Sequence, residues 1–274
     1  MSDKDTKRKV DTNDFFATHP VFSIDEAAQH LLNQNDRRRA VERLKHHLEK
    51  ERLKLVSRGI YAVIPPGIVS KEFEPDPFLT AVAVRPDAVF SHHSALELLG
   101  VAHSQWNKLT LYTKKRRRPL TLPGNVIQFR EYPKFKNWKY SEGLGIQSVE
   151  RRGKILKTTG PERTLIEGFR QPALAGGLEE LIQSAGGFPT LDLNLLMKVL
   201  DRYEISNLWA ALGWFLERFQ GTFHVTETYL GMIEQKIPRS PQYMERNQRG
   251  GWLASRWNLI LPEGLKELGA HDEH

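Results

Sequence analysis

Arg37, Arg38, Arg39, Arg43, His46 and Lys50 recur through one stretch of the chain, and Lys54 and Arg58 follow closely. From Arg37 to Arg58 there are nine Lys and Arg against three acidic residues. A guanidinium pairs bidentately with guanine O6 and N7, and either type of cation neutralises phosphate. The chemistry these types support is recognition of double-stranded DNA. A solvated basic helix in a protein-binding module is the competing reading.

A second basic run, Lys114, Lys115, Arg116, Arg117 and Arg118, is closed by Pro119. It suits secondary contact with phosphate or with an acidic partner, and equally a solvated loop. His92, His93 and His103 invite a test for metal binding. Adjacent histidines on a helix diverge by about 100°, no acidic residue has zincin spacing, and the chain has no cysteine, so neither metal nor cofactor is expected. A nuclease needs acids and a lysine gathered around a metal. Pro86-Asp87 and Glu234-Gln235-Lys236 have the letters but lie far apart in the chain. No Walker loop, dinucleotide fingerprint or Gly-x-Ser-x-Gly elbow occurs. The expectation is a protein that is not an enzyme; the alternative is a DNA-targeted nuclease or nucleotidyltransferase with an unrecognised active site.

The basic residues need a scaffold. Residues 1–10 read as a disordered polar tail. Asp11 to Ala17 is a first helix anchored by Phe15 and Phe16. Ser23 and Glu26 form a capping box for a second, with Ala27, Ala28, Leu31 and Leu32 inward. Asn33-Gln34-Asn35 is turn-like, and Asp36 caps a third helix reaching about Lys50. On it Ala40, Val41, Leu44 and Leu48 share one side, which puts Arg39, Arg43, His46 and Lys50 opposite. Leu53–Val56 and Ile60–Ile64, joined at Ser57-Arg58-Gly59, read as a β-hairpin. Three helices and a hairpin spell a winged helix-turn-helix over 11–66.

A linker is expected over 67–76, then a larger, mixed but mainly helical domain over 77–270, so the fold class is α+β. Helices are expected at Pro77–Val84, Ser94–Leu99, Glu162–Phe169, Leu178–Ala185, Leu193–Leu200, Asn207–Phe219 and Thr226–Lys236. Strands are expected at Leu109–Tyr112, Val126–Phe129, Ile146–Val149 and Trp257–Leu261. Ser91 and Ser94 read as helix caps and Arg163 as a buried tether.

Composition sets the compartment and the charge field. The N-terminus is too charged for a signal peptide and no long apolar run suggests a membrane span, so a cytoplasmic protein without membrane association is expected. Residues 1–70 carry 13 Lys and Arg against 10 acids, 71–153 carry 14 against 8, and 154–274 carry 13 against 15. The positive field thus belongs to the first 153 residues, and a polyanion responds to such a local excess.

Several segments together resemble the AbiEi-type antitoxins, the transcriptional regulators of type IV toxin–antitoxin, or abortive-infection, systems. Leu55-Val56-Ser57-Arg58-Gly59-Ile60-Tyr61-Ala62 is similar to the family's wing. Phe90-Ser91-His92-His93-Ser94-Ala95-Leu96-Glu97-Leu98-Leu99-Gly100 is similar to its Ser-His-x-Ser-Ala-Leu segment. Pro161-Glu162-Arg163-Thr164-Leu165-Ile166 is similar to its Arg-Thr-Leu helix start, and Trp209–Phe219 to a later helix. The resemblance implies a phage-defence autorepressor that binds inverted repeats in its own promoter. It also implies a C-terminal domain that counteracts a nucleotidyltransferase-like toxin.

Overall fold

A computed structural model describes residues 11–32, 35–133, 143–245 and 249–266. The expected tail, Asn33-Gln34 and the last residues of the expected C-terminal domain lie outside them. The elements run α1 Thr12–Thr18, β1 Val21–Ser23, α2 Ile24–Leu32, α3 Arg37–Glu49, β2 Leu53–Ser57, β3 Ile60–Val63, α4 Pro77–Val84, β4 Val89–Phe90 and α5 His93–Leu98. Next come β5 Lys108–Thr113, β6 Leu120–Leu122, β7 Asn125–Glu131, β8 Ile146–Arg151, β9 Lys154–Thr159, α6 Pro161–Arg170, α7 Leu178–Gly186 and α8 Leu193–Tyr203. The chain closes with α9 Ser206–Arg218, α10 Gln220–Phe223, α11 Glu227–Glu234, β10 Gln242–Tyr243, β11 Trp252–Ala254 and β12 Leu259–Leu261. The architecture is α+β.

Two compact units divide the chain, and neither is continuous. The first takes the residues up to Ala88 together with Asn107–Glu131 and Glu150–Leu156. The second takes Val89–Trp106, Tyr132–Val149 and the chain from Lys157 onward. The expected linker at 67–76 is therefore not a border. Lys54 on β2 donates to the Phe73 carbonyl at 2.6 Å and the Ser70 carbonyl at 3.3 Å, which ties that segment down. Asp76 then caps α4 by accepting from Phe78 N and Leu79 N, while Arg151 donates to its other oxygen at 2.9 Å.

In the first unit, Phe15, Phe16, Phe22, Ala27, Ala28, Leu31, Ala40, Leu44, Leu53 and Tyr61 close a core under α1, α2 and α3. Asp11 caps α1. The capping box forms as expected: Ser23 N donates to Glu26 at 2.8 Å, and Glu26 N to Ser23 Oγ at 3.2 Å. Ser23 also ends β1, which pairs antiparallel with β3 and makes the hairpin a three-stranded sheet, β1-β3-β2. β1 was not foreseen, because three residues are too few to show alternation. Further along, β5 pairs in parallel with β7 along its whole length, from Lys108↔Val126 to Thr113↔Glu131. β6 pairs antiparallel with only the first part of β7, Asn125–Ile127.

In the second unit, β4 pairs in parallel with β9, and the helices α6–α11 gather around a large apolar core. Leu208 to Leu216 of α9 is buried on every side, the sign of a central helix. Trp257, wholly buried, lies against Gly213 of α9. It sits in a short 3-10 turn, Ser255–Trp257, so the expected strand begins later, at Leu259. Among the described residues, no helix is long and apolar enough to cross a membrane.

Candidate nucleic-acid interface

Asp36 starts α3 by accepting from Arg39 N at 3.1 Å. Ala40 and Leu44 are its buried residues, whereas Val41 is 42% exposed. The expected apolar side included Val41; the actual one is turned away from it. This rotation changes which basic residues face water. Arg38, Arg39, Lys45, His46 and Lys50 are open to solvent to differing degrees, with Glu42 and Glu49 among them. Lys45 was missed, since it falls beside the expected apolar face and only the true orientation brings it out.

Arg43 was expected to read bases, and the structure corrects this. Its guanidinium donates to the Leu31 carbonyl at 3.0 Å and to Thr12 Oγ1 at 2.8 Å. One side chain thus fastens α3 to the end of α2 and the start of α1. Lys54 likewise spends its ammonium on the two carbonyls of 67–76 instead of reaching outward. Arg37 keeps its exposure but is held by Asp25 in a bidentate pair, its Nη2 2.6 Å from Oδ2. Arg58 stands at the hairpin turn, exposed to solvent. The turn is anchored to the start of α2, because Ile24 N donates to the Gly59 carbonyl at 2.8 Å and Gly59 adopts φ +74°.

What remains is an open side of α3 with two arginines, two lysines and a histidine, mounted on a capped and bolted helix; of these Arg39, though exposed, has its Nε 3.3 Å from Asp36 Oδ2. The side chains on this surface have general chemistries that nucleic acid can meet: a guanidinium can pair with guanine or phosphate, and an exposed apolar group such as Val41 can contact a thymine methyl. Glu42 and Glu49 can accept from cytosine N4, and they also repel phosphate, so this surface is selective in charge.

Lys114–Arg118 forms the exposed connection from β5 to β6. Its base is fixed. Arg85 and Asp87 pair bidentately at 2.7 and 2.8 Å; Asp87 accepts from Lys114 N at 2.8 Å, and Arg85 donates to the Lys115 carbonyl at 2.9 Å. The Arg85 hydrogen bond is the main cause that holds the Asp87 carboxyl below its ordinary range.

Comparison with solved structures finds the same fold elsewhere. A crystal structure of the RV2827C protein from Mycobacterium tuberculosis aligns with 88% of this chain and 86% of its own, at a TM-score of 0.61 and 16% identity. At that identity the likeness is one of fold. Neither protein-family models nor curated proteins give a match to the sequence.

The residues singled out in the second unit are structural in geometry. His92 is the N-cap of α5 at φ +54°, with Nδ1 2.9 Å from Ser91 Oγ, and its side chain makes no cap hydrogen bond. The N-cap position the sequence suggested for Ser91 or Ser94 thus belongs to His92. His93, 1% exposed, lies 3.4 Å from Glu180, which accepts from Ser184 at 2.7 Å. Burial lowers the His93 pKa against the opposing pull of Glu180. Burial raises that of Glu180, but hydrogen bonds from Ser104 and Ser184 outweigh it and leave it low. A neutral imidazole beside a carboxylate results. Arg163, equally buried, donates to Glu167 at 2.8 Å and to the Leu144 carbonyl at 3.0 Å; Tyr203 donates to the same Glu167 oxygen at 2.6 Å. Arg163 is the tether expected. His103 enters through its backbone, which donates to Glu180 and Ser184. Among the described residues no three His, Asp or Glu side chains gather to hold a metal ion.

Proposed function

We propose that this protein is a DNA-binding transcriptional autorepressor that also acts as the antitoxin of a type IV toxin–antitoxin system. The observation that carries the DNA half is the open side of α3, Arg38, Arg39, Lys45 and His46. It stands within the order α1-β1-α2-α3-β2-β3, which we read as a winged helix-turn-helix. α3 would lie in the major groove, with Arg58 at the wing reaching the backbone. The antitoxin half rests on the sequence resemblance and implies a nucleotidyltransferase-like toxin as functional partner.

The test is binding of the full chain to the DNA upstream of its own gene, followed by fluorescence anisotropy at several salt concentrations. Inverted repeats should bind more tightly than scrambled DNA. Arg38→Ala and Arg39→Ala should each weaken binding by about 1–3 kcal/mol for every base that the arginine reads. Unchanged affinity in both variants would remove α3 as the reading element. For the second half, co-expression with a neighbouring nucleotidyltransferase-like gene should relieve its growth arrest. Persistent arrest with both proteins present would leave only the repressor.

A further inference from the structure

β6 covers only the first part of one edge of β7, and β5 lies along the other edge. The chain leaves β5, crosses past the far end of β7 and returns as β6. That crossing is the Arg-rich connection, so the uncovered end of β7 faces it across a concavity of about 650 Å³. Arg116, Arg117, Arg118 and Arg130 line the concavity, together with Gln128, Phe129 and Glu131.

We propose that this groove binds a nucleoside di- or triphosphate. Arg116, Arg117 and Arg118 stand together on one wall of the hollow, a cationic cluster that matches the charge of an oligophosphate, and a guanidinium presents a planar fork suited to phosphate oxygens. The volume falls in the range of small-molecule sites, which a duplex cylinder does not enter. The hollow is also built before any ligand arrives. Asp87 and Arg85 hold the backbone at Lys114 and Lys115, and Thr113 donates to the Lys115 carbonyl at 2.8 Å. The Arg117 guanidinium is stacked 5.7 Å from the centre of the buried Phe129 ring. Anchored cations lose less freedom on binding than a free loop would. Glu131 gives the site its polarity. A carboxylate only repels bare polyphosphate, whereas it accepts a hydrogen bond from a sugar hydroxyl or a base N–H.

Isothermal titration of the full-length protein with GTP, ATP, their di- and monophosphates and tripolyphosphate tests this. We expect saturable one-to-one binding that weakens by about tenfold or more from triphosphate to monophosphate. The Arg116→Ala/Arg118→Ala double variant should lose about tenfold or more in affinity while keeping the melting temperature of the unliganded protein. Glu131→Ala should narrow the preference for nucleotide over tripolyphosphate. Absence of saturable binding at millimolar nucleotide, or binding indifferent to the double variant, overturns the site. Tripolyphosphate binding as tightly as a nucleoside triphosphate overturns the nucleoside assignment. Displacement of bound nucleotide by a non-operator duplex reassigns the groove to nucleic-acid backbone. Because the readout is a small ligand, failure here is distinct from loss of promoter binding through α3.

Discussion

Two arginines four positions apart on α3 divide the labour of the helix. Arg39 is open to solvent, while Arg43 bonds to Leu31 and Thr12. Arg43→Ala should therefore lower the stability of the first unit by about 1–3 kcal/mol, the usual worth of charge-assisted hydrogen bonds. Arg39→Ala should leave stability within about 0.5 kcal/mol and reduce only promoter affinity. Thermal unfolding beside anisotropy separates the two, and equal melting losses would refute the division. The sequence made the basic character of α3 legible, but not which donors the fold consumes. The partners of Arg43 are a backbone carbonyl twelve positions away and a hydroxyl thirty-one positions away, and neither leaves a periodic trace. In the second unit, Glu167→Ala would take from the buried Arg163 the carboxylate it pairs with and should cost about 3–5 kcal/mol. Tyr203→Phe, which removes one donor to the same oxygen, should cost about 1 kcal/mol. Denaturant titration checks the ordering.

At the scale of elements, long amphipathic helices and capped starts were readable. α4 matches its expected bounds, and α3 starts at the cap provided by Asp36. Short strands were not: β1, β4, β6, β10 and β11 each have two or three residues, so only their partners define them. Close packing was equally hidden. A Cβ at Gly213 would collide with the Trp257 ring, so Gly213→Ala should destabilise by about 1–3 kcal/mol or more through overpacking. Retained stability would mean that Trp257 can shift. Burial also pushes His19, His47 and His93 below their ordinary value of 6.5. The native state therefore favours neutral imidazole, and the unfolded chain takes up protons first as the pH falls. Their contribution is full above pH 6.5 and declines below it. Asp87 and Glu180, held low, add their losses only beneath their ordinary values of 3.8 and 4.5. Melting temperatures should fall from about pH 6.5 to about pH 5; a flat profile there would contradict the histidine assignment.

For the whole molecule, promoter binding should weaken steeply with salt, since each phosphate neutralised releases condensed counterions. Removing Arg38, Lys45 and Lys50 together should make the logarithmic slope shallower by roughly one for each phosphate left without its cation, and an unchanged slope would place the backbone contacts elsewhere. The expected α+β class is found, whereas the expected cut near residue 70 is not. Local composition marks a loop but gives no sign that Arg151 returns to Asp76 or that Lys154 lies 3.3 Å from Glu26. That return has a consequence for the order of synthesis. The ribosome completes the helices and hairpin of the first unit early, yet β5–β7 and Arg151 emerge later, the last of them after roughly 80 more residues. At about 5–20 residues per second this is a delay of several seconds. During it, the nascent chain carries α3 before Asp76 has met Arg151.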